Sequence, residues 1–264
     1  MRHSPSMLVP ILLTLAAGAS YLVLALRQQA GPRGWNWWRT ALFLSSCGLL
    51  ILGFSPQALP FSEGDFRKHM LEHLLVAMMA PIGLVMAAPV TLLLRTLPSR
   101  YGRVVTTVLR SRWLQVVANP AVALVLDLGG MAALYFTPLY MAMMVHPALH
   151  YLVHLHFVAA GCLYTWVIAG PDPAPHRPSV PVRLLVLGVA VVIHSVLSQL
   201  LYAGWHVAIP VPAMQLQRGA ELMYYGGDIA EMLLAIGIVT TWHPVHKKTT
   251  DAPARSSLVA WFMQ

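Results

Sequence analysis

Long apolar runs separated by short polar segments dominate the pattern of this chain. A helix that crosses a membrane needs roughly 20 mostly apolar residues to span about 30 Å of hydrocarbon. Seven runs approach or reach that length, near residues 7–26, 40–56, 69–88, 119–137, 147–169, 183–204 and 221–242. The pattern predicts an all-α polytopic membrane helix bundle, with about seven transmembrane helices, that forms a single integral membrane domain over residues 1–264.

The segment 89–115 has a different pattern. Its apolar residues alternate with five arginines, namely Arg95, Arg100, Arg103, Arg110 and Arg112. Such interleaving is typical of an amphipathic helix that lies at a membrane surface rather than crossing it. We therefore predict a surface-bound amphipathic helix between the third and fourth spans.

Composition supports lipid as the solvent. Of the 264 residues 58% are hydrophobic and only 10% are charged, whereas soluble domains carry about 25% charged residues. The net charge of +8 does not indicate nucleic acid, because basic residues of membrane proteins collect in cytoplasmic loops. Cys47 and Cys162 lie in apolar runs without a C-x-x-C pair, so neither a disulfide framework nor a thiolate metal site is expected.

Lysine and arginine are distributed unequally between alternating loops. One side holds four of the 17, namely Arg2, Arg67, Lys68 and Arg218. The opposite side holds the other thirteen: Arg27, Arg33, Arg39, Arg95, Arg100, Arg103, Arg110, Arg112, Arg177, Arg183, Lys247, Lys248 and Arg255. The positive-inside rule then places the N-terminus outside, and the C-terminus and the amphipathic segment on the cytoplasmic side.

Histidines are paired at helical spacing near the outer ends of the third and fifth spans. His69 and His73 are four residues apart, as are His150 and His154, so each pair lies on one helical face about 6 Å apart. Ionisable groups within spans mark functional sites, and imidazole suits copper, zinc, iron or nickel. If the two spans are neighbours, these four histidines would bind one metal ion, with His146 or a nearby methionine as an extra ligand.

Further polar residues within the spans could form a second shell around such a metal ion. Glu72 would orient one imidazole or attract the cation, and a deeper polar shell would consist of Asp127, His194, Asp228 and Glu231. The competing interpretation is structural, because a histidine in a span often only hydrogen-bonds a neighbouring helix. His156, on the opposite face from His154, is expected to do this.

Two other metal chemistries compete. Residues 69–73 read His-Met-Leu-Glu-His, which matches H-x-x-E-H, a zinc hydrolase pattern in which the glutamate is the general base. A haem held by two histidines is the second, but four histidines exceed what one haem uses. A zinc-dependent hydrolase and a metal-free structural scaffold therefore remain as alternatives.

At these residues the sequence resembles a known family. The first matching stretch contains His69, His73, Met79-Ala80-Pro81, Ala88-Pro89-Val90 and Arg95-Thr96-Leu97-Pro98. The second contains His150-Tyr151-Leu152-Val153-His154, Gly161 and Gly170-Pro171-Asp172-Pro173. Together, from about residue 35 to residue 242, they resemble the CtaG-like cytochrome c oxidase assembly factors, which are seven-span proteins of the bacterial plasma membrane.

The resemblance implies a function. Members of this family assist maturation of a haem–copper respiratory oxidase, so the expected partner is an oxidase subunit, the expected cofactor is copper, and no catalytic residues are expected. One departure concerns the seventh span, where the family pattern is Asp-Gln followed by Ala-Gly. Here the region reads Tyr224-Tyr225-Gly226-Gly227-Asp228-Ile229-Ala230-Glu231, so Asp228 holds the acidic position and Glu231 has no counterpart.

Overall fold

The computed structural model describes residues 5–32, 34–175, 177–207 and 209–242, and within these ranges the chain is helical with no strand. The helices are α1 Pro5–Gln29, α2 Trp37–Gly53, α3 Phe66–His73, a π-helical segment Leu74–Met79, α4 Ala80–Met86, α5 Pro89–Thr96, α6 Ser99–Leu109, α7 Arg112–Val117, α8 Pro120–Phe136, α9 Leu139–Val145, α10 Pro147–Ile168, α11 Val180–Ala203 and α12 Ala213–Thr240. Arg2, Arg33, Lys247, Lys248 and Arg255 of the charge count lie outside the described residues. The all-α polytopic bundle predicted from the sequence is confirmed.

The helices in the described ranges allow five or six crossings by length and composition. The five are Leu8–Gln29, Phe66–Thr96, Pro147–Ile168, Val180–Ala203 and Ala213–Thr240. The pair α8 and α9 would be a sixth crossing, and it is bent by 78°. The bend lies at Thr137, whose backbone is extended because it precedes Pro138, and residues before proline favour that conformation. The remaining predicted span, α2, is apolar but only 17 residues long.

The third span is interrupted twice. Pro81 lacks the N–H that would bond the Ala77 carbonyl four residues earlier, and the π-helical segment covers this region. The second interruption is at Ala88, which has a left-handed φ of 55° just before Pro89 opens α5. The span that carries His69, Glu72 and His73 is therefore not a regular rod.

A buried carboxylate holds the second break in place. Asp172 accepts hydrogen bonds from the backbone N–H groups of Val90 at 2.9 Å and Thr91 at 2.7 Å, which are free donors at the start of α5. Tyr21 of α1 donates to the Ala87 carbonyl at 2.8 Å. The Ala-Pro-Val and Gly-Pro-Asp-Pro motifs of the sequence thus meet in space.

The predicted amphipathic segment forms three short helices, α5, α6 and α7, instead of one. Leu97 is extended before Pro98, and Ser111 caps α7 by accepting from the Leu114 N–H. Val104, Val108 and Trp113 are exposed, the last by 84%, as expected for apolar side chains that dip into a membrane surface. The surface character persists, but prolines and caps divide the helix.

Packing brings the two histidine-bearing spans together. α10 packs against α4, the π-helical segment and α8, while α12 packs against α3 and α11. His156 donates to the Leu126 carbonyl of α8 at 3.1 Å, which is the interhelical contact expected of it. Arg183, counted above as a loop residue, lies instead in the first turn of α11, 4% exposed, and donates to the Ile168 carbonyl at the end of α10.

Candidate metal centre

Three donors converge where α3 meets α10. One ligand atom each from Glu72, His150 and His154 lies within 4.8 Å of the other two, and no other group of three such donors is found in the part of the chain that the structure describes. Glu72 is in the last turn of α3, and the histidines are one turn apart on α10. The sequence predicts that Glu72 orients an imidazole or attracts the cation, whereas in the structure its carboxylate oxygen is itself one of the three donors.

The ring of His154 is fixed on both sides. Its Nδ1 lies 2.8 Å from the His150 carbonyl oxygen, and its Nε2 lies 2.9 Å from Glu72 Oε1. Because a carbonyl oxygen only accepts, Nδ1 carries a proton and Nε2 is the nitrogen aimed at the carboxylate. A metal-binding histidine commonly donates its second N–H to a backbone carbonyl in this way, which fixes its tautomer and orientation.

His150 is the third donor and the most accessible of the three. Its ring lies 4.3 Å from that of His154, centroid to centroid, at an interplanar angle of 34°, and the side chain is half-buried. The contact between two imidazoles beside a carboxylate leaves nitrogen and oxygen donors facing one point. Such a donor set suits divalent transition metals.

An apolar cavity of about 840 Å³ leads to these donors. Glu72, His150 and His154 form its polar end, and α1, α2, α4 and α10 provide apolar walls. Leu13 of α1 and Leu155 of α10 line the cavity and are also exposed on the outer surface of the bundle. The donors are therefore accessible from the side of the bundle between α1 and α10. Sequence reasoning could not find this cavity, because it depends on how α1 is set against α10.

His69 and His73 lie beside this group, toward α8. His69 Nε2 is 3.2 Å from the Tyr135 hydroxyl, and the His73 ring contacts Phe157 at 4.8 Å and Tyr135 at 6.0 Å between centroids. Neither belongs to the three-donor group. Their role as ligands of the same ion stays a prediction.

His146 lies at the start of α10. It is exposed and serves as the N-cap residue with extended backbone, so Pro147 places it outside the helix as its sequence suggested. It does not belong to the three-donor group.

The deeper polar residues lie on other helices. His194 of α11 faces Glu231 of α12 with 3.9 Å between Nδ1 and Oε1, and both side chains are buried. Asp228 lies one turn before Glu231 and is half-buried. Asp127 of α8, also half-buried, is close enough to interact electrostatically with Glu231 and with Cys162.

The contacts of the H-x-x-E-H motif differ from those expected of a zinc hydrolase. In that pattern both histidines bind the ion and the glutamate activates a water beside it. Here Glu72 is hydrogen-bonded to His154 of another helix, while His69 and His73 contact Tyr135. The observed contacts favour a site made by Glu72 and α10.

Sequence comparison shows which known proteins this chain is similar to. The chain is similar to uncharacterised proteins of Mycobacterium bovis and Mycobacterium tuberculosis, each 28% identical over 251 residues, covering 85% of this chain and 38% of theirs. A Mycobacterium leprae protein is 28% identical over 192 residues, covering 67% of this chain and 29% of its own. This chain therefore spans well under half the length of these relatives. No solved structure is similar to it.

A family model provides the identification. The model for the cytochrome c oxidase caa3 assembly factor matches residues 19–244, a range that includes Glu72, His150, His154 and the α11–α12 pair. This agrees with the motifs in the third and fifth spans. The chain belongs to the cytochrome c oxidase caa3 assembly factor family.

Proposed function

We propose that this protein binds copper at Glu72, His150 and His154 and hands it to a haem–copper oxidase during assembly. The observation that carries the proposal is the fixed His154 ring, whose Nδ1 is anchored on the His150 carbonyl while Nε2 points at Glu72. Family membership supports the oxidase as the partner. Copper is the cargo of this site, and the protein's residues supply the donors and the orientation.

The chemistry of the donors fits a metal that is held and then released. Two imidazoles and one carboxylate form a set of nitrogen and oxygen donors, which suits Cu(II). Cu(I) is instead selected by thiolate and thioether ligands. Three protein ligands leave a coordination position free, as in metal sites that exchange a ligand. A donor from the partner could enter there and displace the ion.

Position in the membrane follows from the charge distribution. If seven spans put the thirteen basic residues in the cytoplasm, as the sequence predicts, the N-terminus is outside. Glu72, His150 and His154 would then lie in the outer half of a bacterial plasma membrane protein. Copper would then be collected from the outer face and transferred without crossing the bilayer. The cavity between α1 and α10 gives the site a lateral opening toward a membrane-embedded partner.

The test is elemental analysis of the detergent-purified protein after copper loading. The variant His150→Gln/His154→Gln should lose one equivalent of copper per chain relative to the wild type, because both imidazole donors are removed. The matched control is His156→Gln, since His156 is on the same helix but bonded to Leu126 of α8. Equal copper in all three proteins would contradict the proposal.

Glu72→Gln separates this function from the zinc hydrolase. If Glu72 is a copper ligand, replacing its carboxylate by an amide should weaken copper binding. If Glu72 is instead the general base of a hydrolase, the variant would keep its metal and lose only activity. Glu221→Gln is the control, because Glu221 is on α12 and paired with Arg218 at 3.0 Å. Zinc retained by Glu72→Gln with loss of a hydrolytic activity would support the hydrolase.

A further inference from the structure

A polar pocket of about 360 Å³ lies where the start of α2 meets the end of α5. Its lining residues are Gln29, Gly34, Trp35, Asn36, Arg39 and Arg95. The ring of Phe54, just beyond the other end of α2, contacts His154. Because α2 has 17 residues and each adds a rise of about 1.5 Å, the pocket lies roughly 25 Å from the candidate metal centre, toward the opposite end of the bundle.

Two guanidinium groups of this pocket contact the same aromatic ring. The Cζ atoms of Arg39 and Arg95 lie 5.1 Å and 5.6 Å from the centre of the Trp35 ring, within the range of a cation–π contact. Trp35 is buried, so packing fixes the position of its ring. A guanidinium group that contacts a ring keeps N–H donors at its edge, and these planar donors match the oxygens of a phosphate group.

No ion pair neutralises these two charges in the part of the chain that the structure describes. Residues 1–62 and 73–126, which include α1, α2 and α5, contain neither Asp nor Glu. Asp172 is already bound to the backbone N–H groups of Val90 and Thr91. Two like charges beside one ring repel each other, so a bound anion would stabilise this arrangement.

Uncharged donors complete the lining of the pocket. Gln29 Oε1 accepts a hydrogen bond from the Trp35 N–H at 2.9 Å, which leaves the Gln29 NH₂ group as a donor. Asn36 is the N-cap residue of α2, so the pocket also lies at the end of this helix where the dipole favours negative charge. The charged and the uncharged groups therefore favour the same kind of ligand, an anion.

Exposed tryptophans indicate that this anion comes from a lipid. Trp37 and Trp38, which begin α2, are 70% and 58% exposed, and tryptophan is enriched at the level of the lipid headgroups. The exposed arginines Arg100 and Arg103 of α6 extend the basic surface, which attracts anionic headgroups. Leu26, near the end of α1, is exposed and offers apolar surface to an acyl chain.

We propose that Arg39 and Arg95 bind the phosphate group of an anionic phospholipid, with Gln29 as a further donor. The site shares no residue with the group formed by Glu72, His150 and His154. Gln29 ends α1, Arg39 lies in the first turn of α2, and Arg95 lies in the last turn of α5. A bound headgroup would therefore hold the ends of three helices together.

The experiment is native mass spectrometry of the detergent-purified full chain, titrated with phosphatidylglycerol. Arg39→Gln/Arg95→Gln should bind this lipid about tenfold more weakly than the wild type, because charge-assisted hydrogen bonds to the phosphate are lost. The matched control Arg100→Gln/Arg103→Gln removes the same charge from α6, outside the pocket, and should keep nearly the wild-type affinity. Arg95→Gln alone changes an exposed side chain and replaces the double variant if the latter does not fold.

Two further ligands test the chemistry of the headgroup. Phosphatidylcholine carries a positive choline group beside its phosphate and should bind the wild type about tenfold more weakly than phosphatidylglycerol, because the arginines repel that group. Equal phosphatidylglycerol affinity in the wild type and the pocket variant overturns the proposal, as does an equal loss in the α6 control. Displacement of the lipid by millimolar inorganic phosphate would identify a site for free phosphate and would also overturn it.

Discussion

At the scale of single residues, His154 decides the chemistry of the candidate metal centre formed with Glu72 and His150. Both of its nitrogens face oxygen acceptors, Nδ1 the His150 carbonyl and Nε2 the Glu72 carboxylate. Without a metal ion, one proton between Nε2 and the carboxylate joins the ring to Glu72. A metal ion bound at Nε2 must replace that proton and would leave Glu72 free to bind the same ion.

This exchange predicts a pH dependence of metal affinity. Because the ion competes with protons for imidazole nitrogen, copper affinity should rise as the pH increases from about 5 to about 8, and binding should release protons. Calorimetric titrations in buffers of different ionisation enthalpy measure that release. The His154→Gln variant should release fewer protons than the wild type, and His156→Gln should match the wild type.

A flat affinity over the same pH range would contradict imidazole ligation. So would proton release that His154→Gln leaves unchanged.

At the scale of helices, the π-helical segment Leu74–Met79 sets how α3 and α10 meet. Pro81 leaves the Ala77 carbonyl without its helical donor, and α10 approaches that carbonyl at Gly161, where a Cβ atom would collide with the Ala77 oxygen. Small residues allow such close helix contacts in membranes. Glu72 and His154 lie one to two turns from this contact, on either side of the same helix interface.

Gly161→Ala should therefore weaken metal binding by Glu72, His150 and His154 without replacing any of these donors. The new methyl group meets backbone, which cannot rotate away, so α10 must shift and the bond between Glu72 and His154 must lengthen. We expect copper affinity to fall by about tenfold or more, the effect of about 1.4 kcal/mol, as measured by competition with a chromophoric chelator. Gly188→Ala is the control, because a Cβ atom at Gly188 of α11 meets nothing within 4 Å.

Wild-type affinity in Gly161→Ala would mean that this helix contact does not position the donors.

At the scale of the whole molecule, periodicity predicted the positions of the spans but not how they are interrupted or how far they extend. The seventh span was expected near 221–242, yet α12 begins at Ala213, because Gln215, Gln217 and Arg218 break the apolar pattern without breaking the helix. The division of segment 89–115 depends on Pro98 and on the cap at Ser111, which are local signals. In the sequence Asp172 stands out only as part of the Gly-Pro-Asp-Pro motif, since its backbone partners are about 80 residues away.

The sequence indicates a cluster of histidines and carboxylates within the spans, but not which of these side chains lie together. Spacing marked His150 and His154 as a pair, and the structure keeps them together with 4.3 Å between ring centroids. The same spacing grouped His69 with His73, but which neighbour each side chain meets depends on the rotation of α3 and on the π-helical segment. Pairings such as His154 with Glu72, or His194 with Glu231, are tertiary contacts that no pattern along one helix contains.

The central claim, copper bound by Glu72, His150 and His154, is tested most directly by X-ray absorption at the copper edge of the copper-loaded, detergent-purified protein. The account predicts nitrogen and oxygen scatterers only, with the multiple-scattering signature of two imidazoles, and loss of that signature in His150→Gln/His154→Gln. Sulfur scatterers from Cys47 or a methionine would contradict it, as would an unchanged spectrum in that variant.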